Sequence, residues 1–309
     1  MRHHMPDDWR EANRARWDER VPLHTASDYY DQAAFRRTRD VIREFEAAEV
    51  GDVTGRSLLH LQCHFGQDTL SWAHRGADRV VGLDFSAPAI AAARELAAEF
   101  GYGPERASFV AADVYDAVQA VPDAAYDIVY TGIGAVNWLP DLVRWAETAA
   151  SLVAPGGFLY LAEFHPLCDA LDDGTGSRVT HDYFRREAWE ENTPGSYTDF
   201  GAATVHNRSV EWQHPLGDVI SAVAGAGLRI EFLREHDMTM FQRFGELRRG
   251  GDGFYRFPDD RPRIPLMYSL KATKATKATK ATKATKATKA TKATKATKAT
   301  KATKATKAA

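Results

Sequence analysis

The first 270 residues contain no lysine: 27 arginines stand against 42 acids, a formal charge of −15. All 13 lysines lie in 271–309, a Lys-Ala-Thr repeat ending in Lys-Ala-Ala that carries no acid. The net charge of −2 therefore hides an acidic body joined to a basic tail. An acidic body is poorly suited to holding a phosphate backbone. Two cysteines, Cys63 and Cys168, exclude a disulfide framework and suit a reducing compartment. No apolar run approaches the roughly 18 residues of a membrane span, and the N-terminus lacks a signal-peptide core, so a soluble cytoplasmic protein with no membrane partner is expected. A P-loop, a Gly-x-Ser-x-Gly elbow and paired-cysteine metal spacing are also missing. No metal is expected.

What remains is an alternation. Residues 8–20 and 31–48 read as helices, the second with Phe35, Val41, Ile42 and Phe45 on one face. From Arg56 short apolar runs alternate with helical segments, giving strands at "RSLLHLQ", "RVVGLD", "ASFVAAD", "YDIVYTG" and "FLYLAEF". Ser86 caps the helix "SAPAIAAARELAAEFG", with Pro88 in its first turn and Gly101 past its end. The helix after the fourth strand should end at Pro155-Gly156-Gly157. Residues 166–214 interrupt the pattern as an insertion with some antiparallel strand. "PLGDVISAVAGAG", "LRIEFLREHDM" and "IPLMYSLKA" then add a helix and two closing strands around a second loop insertion, 238–263. The expected fold is α/β, a doubly wound, mostly parallel sheet with ligands bound along the edge after each strand. The expected organisation is helices over 1–50, one domain over 51–270 and a disordered tail over 271–309. Within that domain lie a core at 57–165, the insertion at 166–214 and the closing strands at 215–270.

The loop after the first strand, "LQCHFGQ", holds one glycine, Gly66. A dinucleotide would need its backbone to close on a pyrophosphate, and His64 obstructs that approach. S-adenosylmethionine carries no phosphate, and Gln62 and His64 can supply polar partners to its zwitterionic end. Asp84 ends the second strand, 18 residues beyond Gly66, where a carboxylate can accept ribose hydroxyls. Asp113 follows the third strand, where an acid can take an adenine amino group.

"LLHLQCHFGQDTL", "VVGLDFS", "VAADVY", "YDIVYTG" and "LVAPGGFLYLAEF", in this order, resemble the class I S-adenosylmethionine-dependent methyltransferases. The similarity is closest to a bacterial group with the Gln-Cys-His-Phe-Gly variant of the first motif. It implies a seven-stranded sheet with a reversed final strand, S-adenosylmethionine as cofactor, and methyl transfer to an acceptor. It also implies that Gln62, Cys63, His64 and Gly66 form the loop beside the methionine moiety. Asp84 is the ribose acid with Phe85 alongside the adenine, Asp113 and Val114 bind adenine, and Thr131 and Gly132 line the cleft. The family's usual acid two residues before its first glycine is His60 here, and two of its three glycines are Gln62 and His64.

Methyl transfer requires positioning and, for some acceptors, a base. Glu163 and His165 at the end of the fifth strand, with His206 and His214 in the insertion, are the catalytic candidates. A small-molecule acceptor methylated on oxygen or nitrogen is the first reading. The alternatives are a methyltransferase associated with nucleic acid through weak, non-specific binding by the tail, and a non-catalytic adenosylmethionine-fold binding protein. "TGIGAVNW" lacks the Asp/Asn-Pro-Pro-aromatic stretch of base-amino methyltransferases.

Overall fold

A computed structural model describes residues 6–276 and bears out the α/β alternation. The disorder expected of the repeat concerns residues that lie, beyond Thr276, outside those described. Three helices come first: α1 (Trp9–Thr25), α2 (Gln32–Thr38) and α3 (Glu44–Val50). The alternating core follows as β1 (Ser57–Leu61), α4 (Gln67–His74), β2 (Arg79–Asp84), α5 (Ala87–Glu99), β3 (Ala107–Ala111), α6 (Ala117–Ala120), β4 (Tyr126–Thr131), α7 (Leu142–Leu152) and β5 (Val153–Phe164). Then come β6 (Trp189–Asn192), β7 (Arg208–Glu211), α8 (Leu216–Gly225), β8 (Arg229–His236), β9 (Arg248–Arg249), β10 (Tyr255–Arg256) and β11 (Met267–Thr273).

Seven strands form one sheet in the order β3-β2-β1-β4-β5-β11-β8. The first five pair in parallel, and β11 runs antiparallel to both neighbours, the reversed strand that the family resemblance implies. Alternation along the strands feeds two cores. Leu59, Leu61 and Val129 pack with Trp145 of α7 on one face, while Leu58 and Ile128 pack with Trp72 of α4 and Ile90 of α5 on the other. The chain order 3-2-1-4-5 reverses beside β1, so the loops after β1 and β4 diverge there and open a crevice. In the insertion β6 and β7 pair antiparallel, and β9 and β10 form a second small ribbon.

Three expected helix boundaries move. The helix expected over 8–20 runs on to Thr25. The helix expected over 31–48 is broken into α2 and α3. Arg39 turns left-handed at φ 57°, Asp40 accepts from the Ile42 N–H and pairs with Arg75, and Val41 donates to Ser71 Oγ. The break lets Ile42 bury against the sheet. The helix after β4 ends at Leu152, and Val153 already pairs with Tyr126. Pro155 disfavours helix at the residue before it. A Cβ on Gly157 would sit 2.5 Å from the Asp127 carbonyl, so glycine there allows the two backbones to meet. By contrast, Ser86 caps α5 as expected, its Oγ accepting from the Ala89 N–H at 3.3 Å.

The final strand enters the repeat. Lys271, Ala272 and Thr273 pair with β5, and Lys271 Nζ donates to the Glu49 and Val50 carbonyls at 3.0 and 3.2 Å. Lys274 Nζ reaches the Ala150 carbonyl at 2.8 Å.

Candidate active site

The loop after β1 keeps a glycine-type backbone without the glycines. Gln62 and His64 both lie in the left-handed region, at φ 58° and 50°, a conformation that costs a non-glycine residue about 1–3 kcal/mol. Gly66, at φ 82°, is required by packing as well, since an added Cβ would fall 2.7 Å from Phe109 Cε1. The loop alternates in direction. Gln62 and His64 line a cleft, while Cys63 packs under Gly82, where a Cβ would lie 2.8 Å from its Sγ. Burial pushes the Cys63 thiol far above its ordinary range, so it is a packing group and no nucleophile.

The cleft has a volume of about 150 Å³ and is walled by Asp84, Phe85, Asp113 and Val114 from the ends of β2 and β3. Asp84 is 7 % exposed. Its two oxygens accept from the His64 and Ser86 backbone N–H groups at 2.8 and 2.9 Å. No cation pairs with it among the described residues. Burial pushes its pKa up to about 6, those N–H groups pull it down, and the charge of Asp18 adds to the rise. Asp113 accepts from the Tyr115 N–H at 2.8 Å and pairs with Arg10 of α1 at 2.7 Å. Gln62 Nε2 donates to the Ala135 carbonyl at 2.8 Å, leaving its Oε1 buried without a partner. Cys63, Gly66, Thr131 and Gly132 sit behind the wall; Thr131 is fully buried, and Gly132 lies beside His60.

The other wall lies outside the carried-over motifs. Trp9, Asn13 and Trp17 of α1, four residues apart, put one face of that helix on the cleft, and Trp138 and Tyr197 join them. The spacing of the two tryptophans in the sequence was the available signal. Here an imidazole chain runs from the loop into the insertion. His64 Nε2 is 2.8 Å from His24 Nδ1, and His24 Nε2 is 2.6 Å from Ser196 Oγ. Tyr30 and Tyr197 share a hydrogen bond beside it. Burial lowers both histidines, His24 to about 4, so the pair is neutral at pH 7.

The four catalytic candidates do not meet. Glu163 fastens the loop after β4: one oxygen accepts from Ala135 and Val136 N–H, the other from Gly134 and Phe164 N–H, at 2.6–3.0 Å. His165 is buried away from the cleft, with Nε2 3.0 Å from Glu235 and Nδ1 accepting from the Leu167 N–H. His206 is exposed, and its backbone N–H donates to Glu19 of α1. His214 is buried and lies 2.8 Å from the Leu139 carbonyl. Glu163 and His214 line a larger cavity of about 330 Å³ beneath the insertion.

Residues 58–157 match the profile of a family described as "Methyltransferase domain". With the strand order and the reversed β11, this defines the class: the chain carries a methyltransferase domain and has the fold of the class I S-adenosylmethionine-dependent enzymes. Among solved structures it is similar to an S-adenosylmethionine-dependent methyltransferase of Mesorhizobium loti, with 22 % identity, TM-score 0.51, and 78 % of this chain and 98 % of that one covered. A protein of Listeria monocytogenes classed with the same enzymes gives 18 % identity and TM-score 0.53 over 74 % and 97 %. The [4+2]-cyclase SpnF gives 15 % and 0.51 over 85 % and 95 %. No curated protein matches the sequence.

Proposed function

We propose that the protein transfers a methyl group from S-adenosylmethionine to a small-molecule acceptor, on oxygen or nitrogen. The observation that carries this is the buried Asp84 carboxylate, without a cation, facing the same cleft as the unpartnered Gln62 Oε1. Both suit a ligand that offers hydroxyl and ammonium donors. Bound there, adenosylmethionine supplies a methyl group already activated on a sulfonium. Gln62 and His64 would flank its methionine end, Asp84 would accept from the ribose, and Phe85, Asp113 and Val114 would hold the adenine. A dinucleotide fits less well, because the His64 side chain stands where a pyrophosphate would need to approach bare backbone. The acidic body favours a small acceptor over a polyanion.

Calorimetry with adenosylmethionine, adenosylhomocysteine and NAD tests the reading. The first two should bind and NAD should not. Asp84→Ala should weaken binding by about 1.5–3 kcal/mol, the scale of hydrogen bonds to a charged group. Tight NAD binding, or unchanged affinity in the variant, would sink the assignment. The cyclase SpnF is built on a similar fold, and one fold can host several chemistries, so label transfer to an acceptor must be measured as well as binding.

A further inference from the structure

The larger cavity beneath the insertion shares no lining residue with the cleft proposed for the cofactor. Resting on the proposal that the acceptor is a small molecule, we propose that this cavity binds an organic ammonium cation, which makes an amine the class of molecule the protein acts on. At about 330 Å³ it falls in the ~300–1,000 Å³ range of small-ligand sites.

Six carboxylates line it against two guanidiniums. Both guanidiniums are engaged. Arg243 pairs with Asp173 at 2.5 Å, and Arg185 donates to the Glu187 and Ala188 carbonyls while lying 4.6 Å from the Trp189 ring centre. Glu211 of β7 and Glu191 of β6 lie on paired strands, and the charge of Glu191 raises the cost of ionising Glu211. Arg16 of α1 interacts with both at longer range, but its guanidinium donates to the Thr193 and Asn207 carbonyls. The cavity thus holds negative charge in excess of its own cations.

Two further observations separate an organic ligand from a bare ion. Trp189, Trp212 and Tyr268 are among the residues that line the cavity, and Trp189 already holds the Arg185 guanidinium over its ring, the kind of contact an ammonium makes. Trp212 is 2 % exposed and its Nε1 has no partner, and Asn137 Oδ1 is buried without one. Asn137 already donates through Nδ2 to Glu211 at 2.9 Å, so its free oxygen beside that carboxylate makes a second acceptor for N–H groups. The same loop separates the two chambers: Ala135 lines the cofactor cleft, and Val136 and Asn137 line the amine cavity. Burial first, and then Glu191, push Glu211 up to about 7. An arriving cation favours the ionised carboxylate, so binding near neutrality should release protons.

The test is calorimetry on the full chain with adenosylhomocysteine present, using phenethylamine, 2-phenylethanol and 3-phenylpropionate. The amine should bind at least about tenfold more tightly than the neutral or anionic analogue. Glu211→Gln should remove most of that preference while leaving 2-phenylethanol unchanged. Trp189→Leu should weaken the amine about fivefold or more, and it serves if the first variant does not fold. Equal affinity for amine and alcohol, no binding of the amine, or a preference that survives both substitutions would overturn the proposal. Failure of adenosylhomocysteine alone to bind would count against the cofactor reading and leave the amine result standing.

Discussion

His24 has no motif around it, yet it supports the imidazole of the loop after β1 from 40 residues away. Sequence reasoning reached His64 through its place in the first motif. It could not reach His24, Ser196 or Tyr197, because only the fold brings the end of α1 and the insertion together. Nor could it tell that Gln62 and His64 would hold left-handed backbone. The groups facing His24 are His64, Ser196, Tyr197, Tyr30, Trp17 and Arg20; burial and the Arg20 charge keep its pKa near 4. A histidine lowered on folding contributes stability that is complete above its unfolded pKa, near 6.5, and is lost as pH falls toward 4. His24→Gln has no such proton to exclude. The stability gap between wild type and His24→Gln should therefore narrow by roughly 3 kcal/mol from pH 7 to pH 4. Chemical denaturation across that range reads it, and a gap independent of pH would show that His24 is not held neutral.

At the scale of elements, the most legible features were those written locally. Ser86, Pro88 and Gly101 bracket α5, and the apolar runs of β1 to β5 fall where their alternation places them. The break between α2 and α3 was illegible because its partners, Ser71 and Arg75, come from α4 and its end. Glu163 shows the same limit. Its position at the end of β5 suggested chemistry, and only the fold shows the four N–H donors that make it the latch of the loop dividing the two chambers. A glutamine there keeps one acceptor oxygen and turns an amide NH2, a donor only, toward the remaining N–H groups, leaving two unsatisfied at about 1–3 kcal/mol each. Glu163→Gln should lower the melting temperature by roughly 4–20 °C. It should also weaken adenosylhomocysteine, because Gly134 and Ala135 line the cleft. A variant with the wild-type melting curve and affinity would show that Glu163 is no latch.

Across the whole molecule the charge divides where the last strand ends, but not at the first lysine. The repeat begins at Lys271, yet β11 runs to Thr273, and Lys274 exchanges backbone hydrogen bonds with Gly156 and Gly157 at 2.9 Å each. The composition break placed the domain boundary at residue 270 and the strand pattern "IPLMYSLKA" ran to Ala272, but neither reached Lys274, because a lysine paired onto a strand end looks the same in sequence as one beyond it. Truncation can tell them apart. A chain ending at Thr276 keeps β11 and its anchors and should melt within about 1–2 °C of the full protein. A chain ending at Ala272 loses Thr273 from the pairing with β5 and loses the Lys274 contacts, several hydrogen bonds worth about 0.5–1.5 kcal/mol each. It should melt several degrees lower. Both truncations remove at least eleven of the 13 tail lysines from a body of formal charge −15. Any DNA binding should then disappear in both, and in the full chain it should fall with salt at a log–log slope of about −0.9 per phosphate neutralised. DNA binding retained by the Thr276 truncation would place nucleic acid on the body, and would move the acceptor from a small molecule to a polymer.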